Sequence, residues 1–368
     1  MGKRREPGPA AQALHWPLFY AIRSVLAVPQ ILGPAPALEG AAAMGRWFGG
    51  LPMNRKRVDR AAAAIAQAFP EYDKARCHEV ALTSYEHLFR LAIEVAFTPR
   101  LITQEGMTRH VELGNVSDAL KELSGGDRNL CITGHNGNWE LLAYLIATLG
   151  YPMHVVYRPL DMKPLDDWVR GVRSRRGLTL IDKFGAVRKL PGLVRSRHPI
   201  AFAADQNAGD RGVFVPFFGR LASTYKSIGL LAIETEATLL CGMARRLPGV
   251  APGAADQGDH GFRYRIEIED VIRPEDYMSQ PDPLFYLTAR YRRAIEIMVK
   301  RTPEQYLWMH RVWKSRPRHE RSDRPFPESL KDKLRQLPWM TEDELARIVD
   351  RSDRDRATLR ALGTDRLP

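Results

Sequence analysis

A short apolar run, Asn129-Leu130-Cys131-Ile132, leads into Thr133-Gly134-His135-Asn136-Gly137-Asn138-Trp139-Glu140. A second apolar run follows from Leu141 to Ala147 and is closed by Gly150 and Pro152. The first run has the length and character of a buried strand. The second reads as a helix that glycine and proline stop. The polar residues between them form a strand-to-helix turn, with His135 in the turn and Glu140 in the first turn of the helix. Such a turn exposes an imidazole at the end of a sheet, beside the free N–H groups and partial positive charge of a helix N-terminus. The spacing predicts that Glu140 curls back to hold the ring, as a general base requires.

The alternation continues beyond this unit. Strands are predicted at Met153 to Tyr157, Leu178 to Ile181, Ile200 to Ala204 and Thr238 to Ala244. Helices are predicted at Leu165 to Arg176, Ala186 to Arg195, Ser223 to Thr235 and Leu284 to Lys300. Phe214 to Phe217 is a short apolar run before Gly219. Arg263 to Ile268 alternates charged with apolar residues and reads as an edge or half-exposed strand. The Gly-, Pro- and Asp-rich stretch from Pro248 to Gly261 is a loop. The pattern argues for an α/β fold, a mostly parallel central sheet flanked by helices. Before it, Met53 to Phe69, Glu71 to Phe97 and Val116 to Leu123 are helical, which adds an N-terminal helical layer.

The N-terminus begins with Lys3-Arg4-Arg5 and a mildly apolar stretch from Ala10 to Leu38. Arg23 and several prolines interrupt that stretch, so it reads neither as a spanning helix nor as a cleavable signal. Trp16, Phe19 and Tyr20 beside arginine suit an interfacial segment; an ordinary helix packed on the core is the alternative. The net charge of +12 and a pI near 9.7 point to an anionic partner: phospholipid surface, acidic carrier protein or nucleic acid. Cys77, Cys131 and Cys241 have no metal or disulfide spacing, and Cys131 and Cys241, in apolar runs, read as reduced core residues. From about Glu320 the chain is highly charged, with one helix near Glu342 to Val349, and its composition suits an extension that is partly disordered.

In a parallel sheet the site gathers at the carboxyl ends of the strands. Four such ends carry polar residues: His135 to Glu140, Arg158, Asp205-Gln206-Asn207 and Arg245-Arg246. Each has an ordinary structural reading too. Glu140 suits a helix-end carboxylate, Arg158 a surface ion pair and Asp205 a turn cap. Their convergence favours catalysis. A Gly-x-Ser-x-Gly elbow, a P-loop and a dinucleotide-binding glycine motif are all missing from the sequence. His135 and Glu140 are five apart, which does not place two metal ligands on one helical face, so no metal is expected. The basic and aromatic stretch from Trp308 to Arg318 has no nucleic-acid recognition motif with it, and no nucleic-acid partner is expected.

His135-x-x-x-x-Glu140 resembles the catalytic motif of the bacterial lipid A late acyltransferases, the lauroyl/myristoyl transferases of the wider lysophospholipid acyltransferase superfamily. Tyr157-Arg158-Pro159, Ala204-Asp205-Gln206-Asn207, Val215-Pro216-Phe217-Phe218-Gly219 and the run from Pro303 to Arg311 fit the same family in the same order. The likeness covers about Met53 to Arg318. It implies a glycerolipid acyltransferase-like domain over 53–319, an interfacial or membrane-associated segment over 1–52 and a charged C-terminal extension over 320–368. The implied reaction moves a fatty acyl group from acyl carrier protein or acyl-CoA to a hydroxyl of a lipid A-type glycolipid. It would take place on an anionic membrane surface at the cytoplasmic face of the inner membrane, with peripheral or monotopic attachment and no cofactor.

By that resemblance His135 is the base and Glu140 its orienting carboxylate. Asn136, Gly137, Asn138, Arg158, Asp205, Gln206, Asn207, Gly219, Ser223 and Thr224 are implied to bind substrate. The N–H groups around Asn136 to Asn138, or Arg158, are the expected donors to the oxygen anion of acyl transfer. Other readings remain open at this level: a different glycolipid acceptor, such as a phosphatidylinositol mannoside, or a basic membrane-binding protein without turnover.

Overall fold

A strand buried at every position must be covered on both faces, and Asn129–Thr133 is such a strand. Leu130 and Ile132 point into the larger core, while Cys131 points to the opposite face, the alternation that a pleated strand imposes. The computed structural model describes residues 9–157, 159–174, 177–248 and 261–367.

Four helices come first: α1 (Pro9–Leu32), α2 (Pro34–Gly50), α3 (Arg55–Ala68) and α4 (Lys74–Leu101). The short helix α5 (Met107–His110) and strand β1 (Val111–Leu113) lead into α6 (Ser117–Ser124), β2 (Asn129–Thr133) and α7 (Trp139–Thr148). Next come β3 (His154–Tyr157), α8 (Lys163–Arg173), β4 (Thr179–Asp182), α9 (Lys183–Arg195) and β5 (Ile200–Ala203). A hairpin of β6 (Val213–Phe217) and β7 (Arg220–Thr224) precedes α10 (Lys226–Thr235), β8 (Thr238–Arg246) and β9 (Tyr264–Ile272). The chain closes with α11 (Pro274–Met278), α12 (Pro283–Arg301), α13 (Arg318–Arg321), α14 (Glu328–Arg335) and α15 (Glu342–Leu362).

The central sheet has seven strands in the order β1-β9-β8-β2-β5-β3-β4. All neighbours are parallel except β8 and β9. The α/β fold with an N-terminal helical region is therefore as the alternation predicts. β9 is half-exposed but is not an edge, because the three-residue β1 covers it.

Two expectations are corrected. Ser223 and Thr224 belong to β7, and the helix starts only at Lys226. The hairpin decides this: Phe217 pairs with Arg220 across the two-residue turn Phe218-Gly219, both with positive φ, which matches the twist of paired strands. The charged tail is also ordered. Leu334, Leu337, Leu345 and Ile348 join the main core, each contributing about 1.5–3 kcal/mol by burial. Its charges pair inward: Asp355 receives two hydrogen bonds of 2.7 Å from Arg220, and Arg316 is bidentate to Glu320 at 2.7 and 2.9 Å. All three cysteines are free and buried. The Pro248 to Gly261 loop lies almost wholly outside the described residues, as do Lys3 to Arg5.

Candidate active site

Strand pairing places the first two site residues. Thr133 at the end of β2 is registered with Ala203 at the end of β5. The Ala204 N–H still donates to the Thr133 carbonyl at 2.8 Å. Two residues further along each strand stand His135 and Asp205, brought face to face by the ladder although 70 residues separate them in the chain. One Asp205 oxygen accepts from the His135 backbone N–H at 3.0 Å, and the other contacts Nδ1 at 2.6 Å. The carboxylate thereby fixes both the backbone and the ring of the same residue.

The electrostatics follow from burial. Desolvation alone would raise the Asp205 carboxyl, but His135 and the buried Arg292 outweigh it and hold it well below the usual carboxylate range. Burial would lower the His135 imidazole, yet Asp205, with a smaller contribution from Glu140, raises it above its ordinary value. An ionised Asp205 makes Nδ1 the protonated nitrogen and leaves Nε2 as an acceptor. The Gln206 side-chain nitrogen lies 3.4 Å from that Nε2. The edge of Trp139 and the ring of His310 flank the imidazole at centroid distances of 4.9 and 4.8 Å.

The turn beneath His135 rests on buried polar groups. Gly137 has φ of +57°, and a Cβ there would lie 2.2 Å from the Ala244 carbonyl oxygen, so only glycine fits. Its carbonyl meets His87 Nε2 at 3.1 Å, while His87 Nδ1 meets an Arg246 nitrogen at 2.7 Å. Arginine can only donate, so Nδ1 accepts and Nε2–H donates to Gly137. Burial, reinforced by the Arg246 charge, pushes His87 far below the ordinary histidine range and keeps it in this neutral form. Arg246 is also paired with the buried Glu94 at 2.6 Å, and Glu94 accepts from the Asn138 amide at 2.9 Å. Arg246 at the end of β8 is thus a support for the turn, whereas Arg245 pairs with Glu267 at 2.7 Å.

Several expected roles are corrected by these contacts. Glu140 does not hold the His135 ring, because Nδ1 is occupied by Asp205; Glu140 pairs with Arg173 of α8 at 2.5 Å. The Gly137 and Asn138 backbone N–H groups donate to Gln305 and Ala244 carbonyls, at 2.9 and 2.8 Å, so neither is open to an oxygen anion. The Asn136 side chain is buried against Met243 sulfur, 3.5 Å away, and the Asn138 side chain caps α7 through the Leu141 N–H. Asn207 spends its amide on Ser315, at 3.2 and 3.3 Å. Gly219 forms the hairpin turn, and the buried Ser223 and Thr224 hydroxyls donate to the carbonyls of Gly209 and Ala222. Of the expected binding residues, Gln206 keeps its side chain at the ring. Arg158 lies outside the described residues, as do Arg175 and Arg176.

The family model for bacterial lipid A biosynthesis acyltransferases matches residues 9–315. The chain belongs to this family. It is 29% identical over 210 residues to the lipid A biosynthesis palmitoleoyltransferase of Escherichia coli (strain K12), an alignment covering 56% of this chain and 62% of that protein. It is 29% identical over 168 residues to the lipid A biosynthesis lauroyltransferase of the same strain, covering 44% and 48%. A lipid A biosynthesis acyltransferase of Haemophilus influenzae is 22% identical over 279 residues, 74% of this chain and 80% of that protein. The first two matches thus span less than two thirds of those relatives.

Local spacing did not show that His310 lies against the His135 ring or that Asp205 is the partner of that ring. Strand order would have found Asp205, since β5 lies beside β2, but order is not written in local spacing. His310 had one signal, its place in a segment that resembles the family. His135, Asp205 and His310 also have ligand atoms within 4.8 Å of one another.

No described helix is long and apolar enough to cross a membrane. Even so, α1 leaves Leu14, Trp16, Leu18, Tyr20 and Ile31 exposed, and Met44, Trp47 and Met53 are exposed after it.

Proposed function

We propose that this protein transfers a fatty acyl group from a thioester, carried by acyl carrier protein or coenzyme A, to a hydroxyl of a lipid A-type glycolipid. One observation carries the reading. His135 has Nδ1 held by a buried carboxylate and Nε2 left as an acceptor at the carboxyl end of the sheet. An unactivated sugar hydroxyl does not ionise near neutral pH, so a base must take its proton as it attacks. His135 Nε2 takes that proton, and Asp205 stabilises the imidazolium that results. The hydroxyl oxygen bonds to the carbonyl carbon, the C–S bond breaks, and the thiolate recovers the proton from the imidazolium. Glu140, paired with Arg173, adds negative field near the ring without touching Nδ1. Family membership supports the reaction class, and the lauroyl and palmitoleoyl chains named for relatives are the first donors to try.

The place of action is the cytoplasmic face of the inner membrane. The exposed apolar and aromatic side chains of α1 suit insertion at the headgroup level, and the net charge of +12 favours an anionic surface and an acidic carrier.

The test is lipid mass spectrometry on cells lacking the protein, rescued with wild type or His135→Ala. The expected result is a glycolipid that lacks one acyl chain and regains it only with wild type. Full rescue by a folded His135→Ala variant would overturn the base assignment, and unchanged lipids in every strain would overturn the reaction.

A further inference from the structure

Acyl transfer places negative charge on the thioester carbonyl oxygen, and donors aimed at that charge supply a large part of catalysis. The Gly137 and Asn138 amides are already bonded to carbonyls, and the Leu141 amide is bonded to the Asn138 side chain. Side chains also supply donors near the ring. Two of these lie against it. Gln206 presents its amide nitrogen at 3.4 Å from His135 Nε2. That nitrogen, rather than the amide oxygen, faces the ring because Nε2 is an acceptor whenever Nδ1–H is bonded to Asp205. His310 stacks obliquely on the imidazole, with centroids 4.8 Å apart and planes at 59°. Neither of its ring nitrogens has a hydrogen-bond partner among the described residues, whereas His87, His110 and His154 each use a ring nitrogen on a backbone carbonyl.

Resting on the acyltransfer reading above, we propose that His310 is a further catalytic residue: its neutral ring N–H donates to the carbonyl oxygen of the donor thioester as the tetrahedral adduct forms, with the Gln206 amide as the second donor. When the acceptor hydroxyl takes its place at Nε2, the Gln206 amide is displaced from the ring and turns to the neighbouring oxygen. The hydroxyl proton goes to His135, the carbonyl oxygen gains charge and returns it as the C–S bond breaks, and His310 neither gains nor loses a proton. Burial and the charge of His135 both lower the His310 imidazole, with Asp205 opposing them, so the ring stays neutral beside an imidazolium. Hydrogen bonds between Asn207 and Ser315 tie the segment of Gln206 to the segment that carries His310.

The experiment measures acyl transfer by the full chain from lauroyl carrier-protein thioester to a lipid A precursor in detergent micelles. Thiol release is recorded in parallel. His310→Phe keeps a flat ring and removes the donor, His310→Gln keeps a donor, and Gln206→Leu removes the second one. His310→Phe is expected to lower kcat by about 10²–10³-fold with KM little changed. His310→Gln is expected to recover about tenfold of that loss, and Gln206→Leu to lower kcat by about 10–10²-fold. A folded His310→Phe with wild-type kcat, a loss confined to KM, or equal losses in His310→Phe and His310→Gln would overturn the assignment. Should His310→Phe not fold, His310→Gln against Gln206→Leu decides: wild-type kcat in Gln206→Leu with a collapsed His310→Gln overturns it. No transfer and no thiol release by wild type would remove the acyltransfer reading as well, whereas wild-type turnover with indifferent variants removes this inference alone.

Discussion

Two buried charge clusters differ in what they leave unclaimed. At the end of β2, His135 and Asp205 satisfy each other through Nδ1, while among the described residues Nε2 meets only the Gln206 amide, at 3.4 Å, and neither ring nitrogen of His310 has a hydrogen-bond partner. Behind the β6–β7 hairpin, Arg220, Arg316, Glu320 and Asp355 saturate one another: Asp355 meets Arg220 through two hydrogen bonds and Arg316 at 2.9 Å, and Glu320 takes Arg316 and the Ser352 hydroxyl. Burial draws Arg220 down to about 10 even so, and Asp355 keeps it charged. Both clusters are costly to desolvate. The closed one holds the C-terminal helix to the core. The open one can exchange a proton. Buried charge marks chemistry only where a donor or acceptor remains free.

Three substitutions sharpen or break this contrast. The largest effect is expected at Asp205. Asp205→Asn should lower kcat by roughly two to four orders of magnitude, since the orienting carboxylate sets the tautomer of the base. A steady-state assay on folded protein checks this, and near-wild-type turnover would make the pair structural. Next, Asp355→Asn should cost about 3–5 kcal/mol of unfolding free energy in urea, because three arginines lose a buried partner. Turnover per folded molecule should not change, and a fall in kcat would mean that the closed cluster reaches the site. Smallest is Glu140→Gln, expected to lower kcat by less than about tenfold, since the Nδ1 contact is not its own. A loss equal to that of Asp205→Asn would restore Glu140 as the orienting group.

The pH profile separates the same two carboxylates. In the proposed reaction His135 acts only while neutral, and its imidazole is raised above the ordinary value near 6.5. Activity should therefore fall as pH drops through a midpoint above about 6.5. Removing the Asp205 charge should move that midpoint down, and removing the Glu140 charge should move it less, since Asp205 acts more strongly on the ring. A kcat–pH series on the three proteins reads the order.

How much of this was legible follows from where the information lies. β2, β3, β5 and β8 are short apolar runs that each follow a helix, and local pattern is enough to find them. β7 was not, because Ser223 and Thr224 ahead of an apolar run imitate a helix cap; only pairing with β6 shows that they extend a hairpin. The placement of His135 in a strand-to-helix turn was legible. Its partner was not, since Glu140 is near in sequence and Asp205 is near only after β5 is placed beside β2. The tail was misread for a different reason. Composition counts charges but does not pair them, and there the charges neutralise one another in the interior.

The sheet order has a kinetic consequence. β5 sits between β2 and β3, although β2 and β3 are successive strands. The early unit β2-α7-β3 must therefore remain open until β5 arrives to part it, and a chain that zips β2 directly to β3 has its histidine but no aspartate. Pairing over such separations is slow compared with helix formation. During refolding, recovery of the helical signal should run ahead of recovery of turnover, since the insertion of β5 is one of the long-range pairings that the site requires.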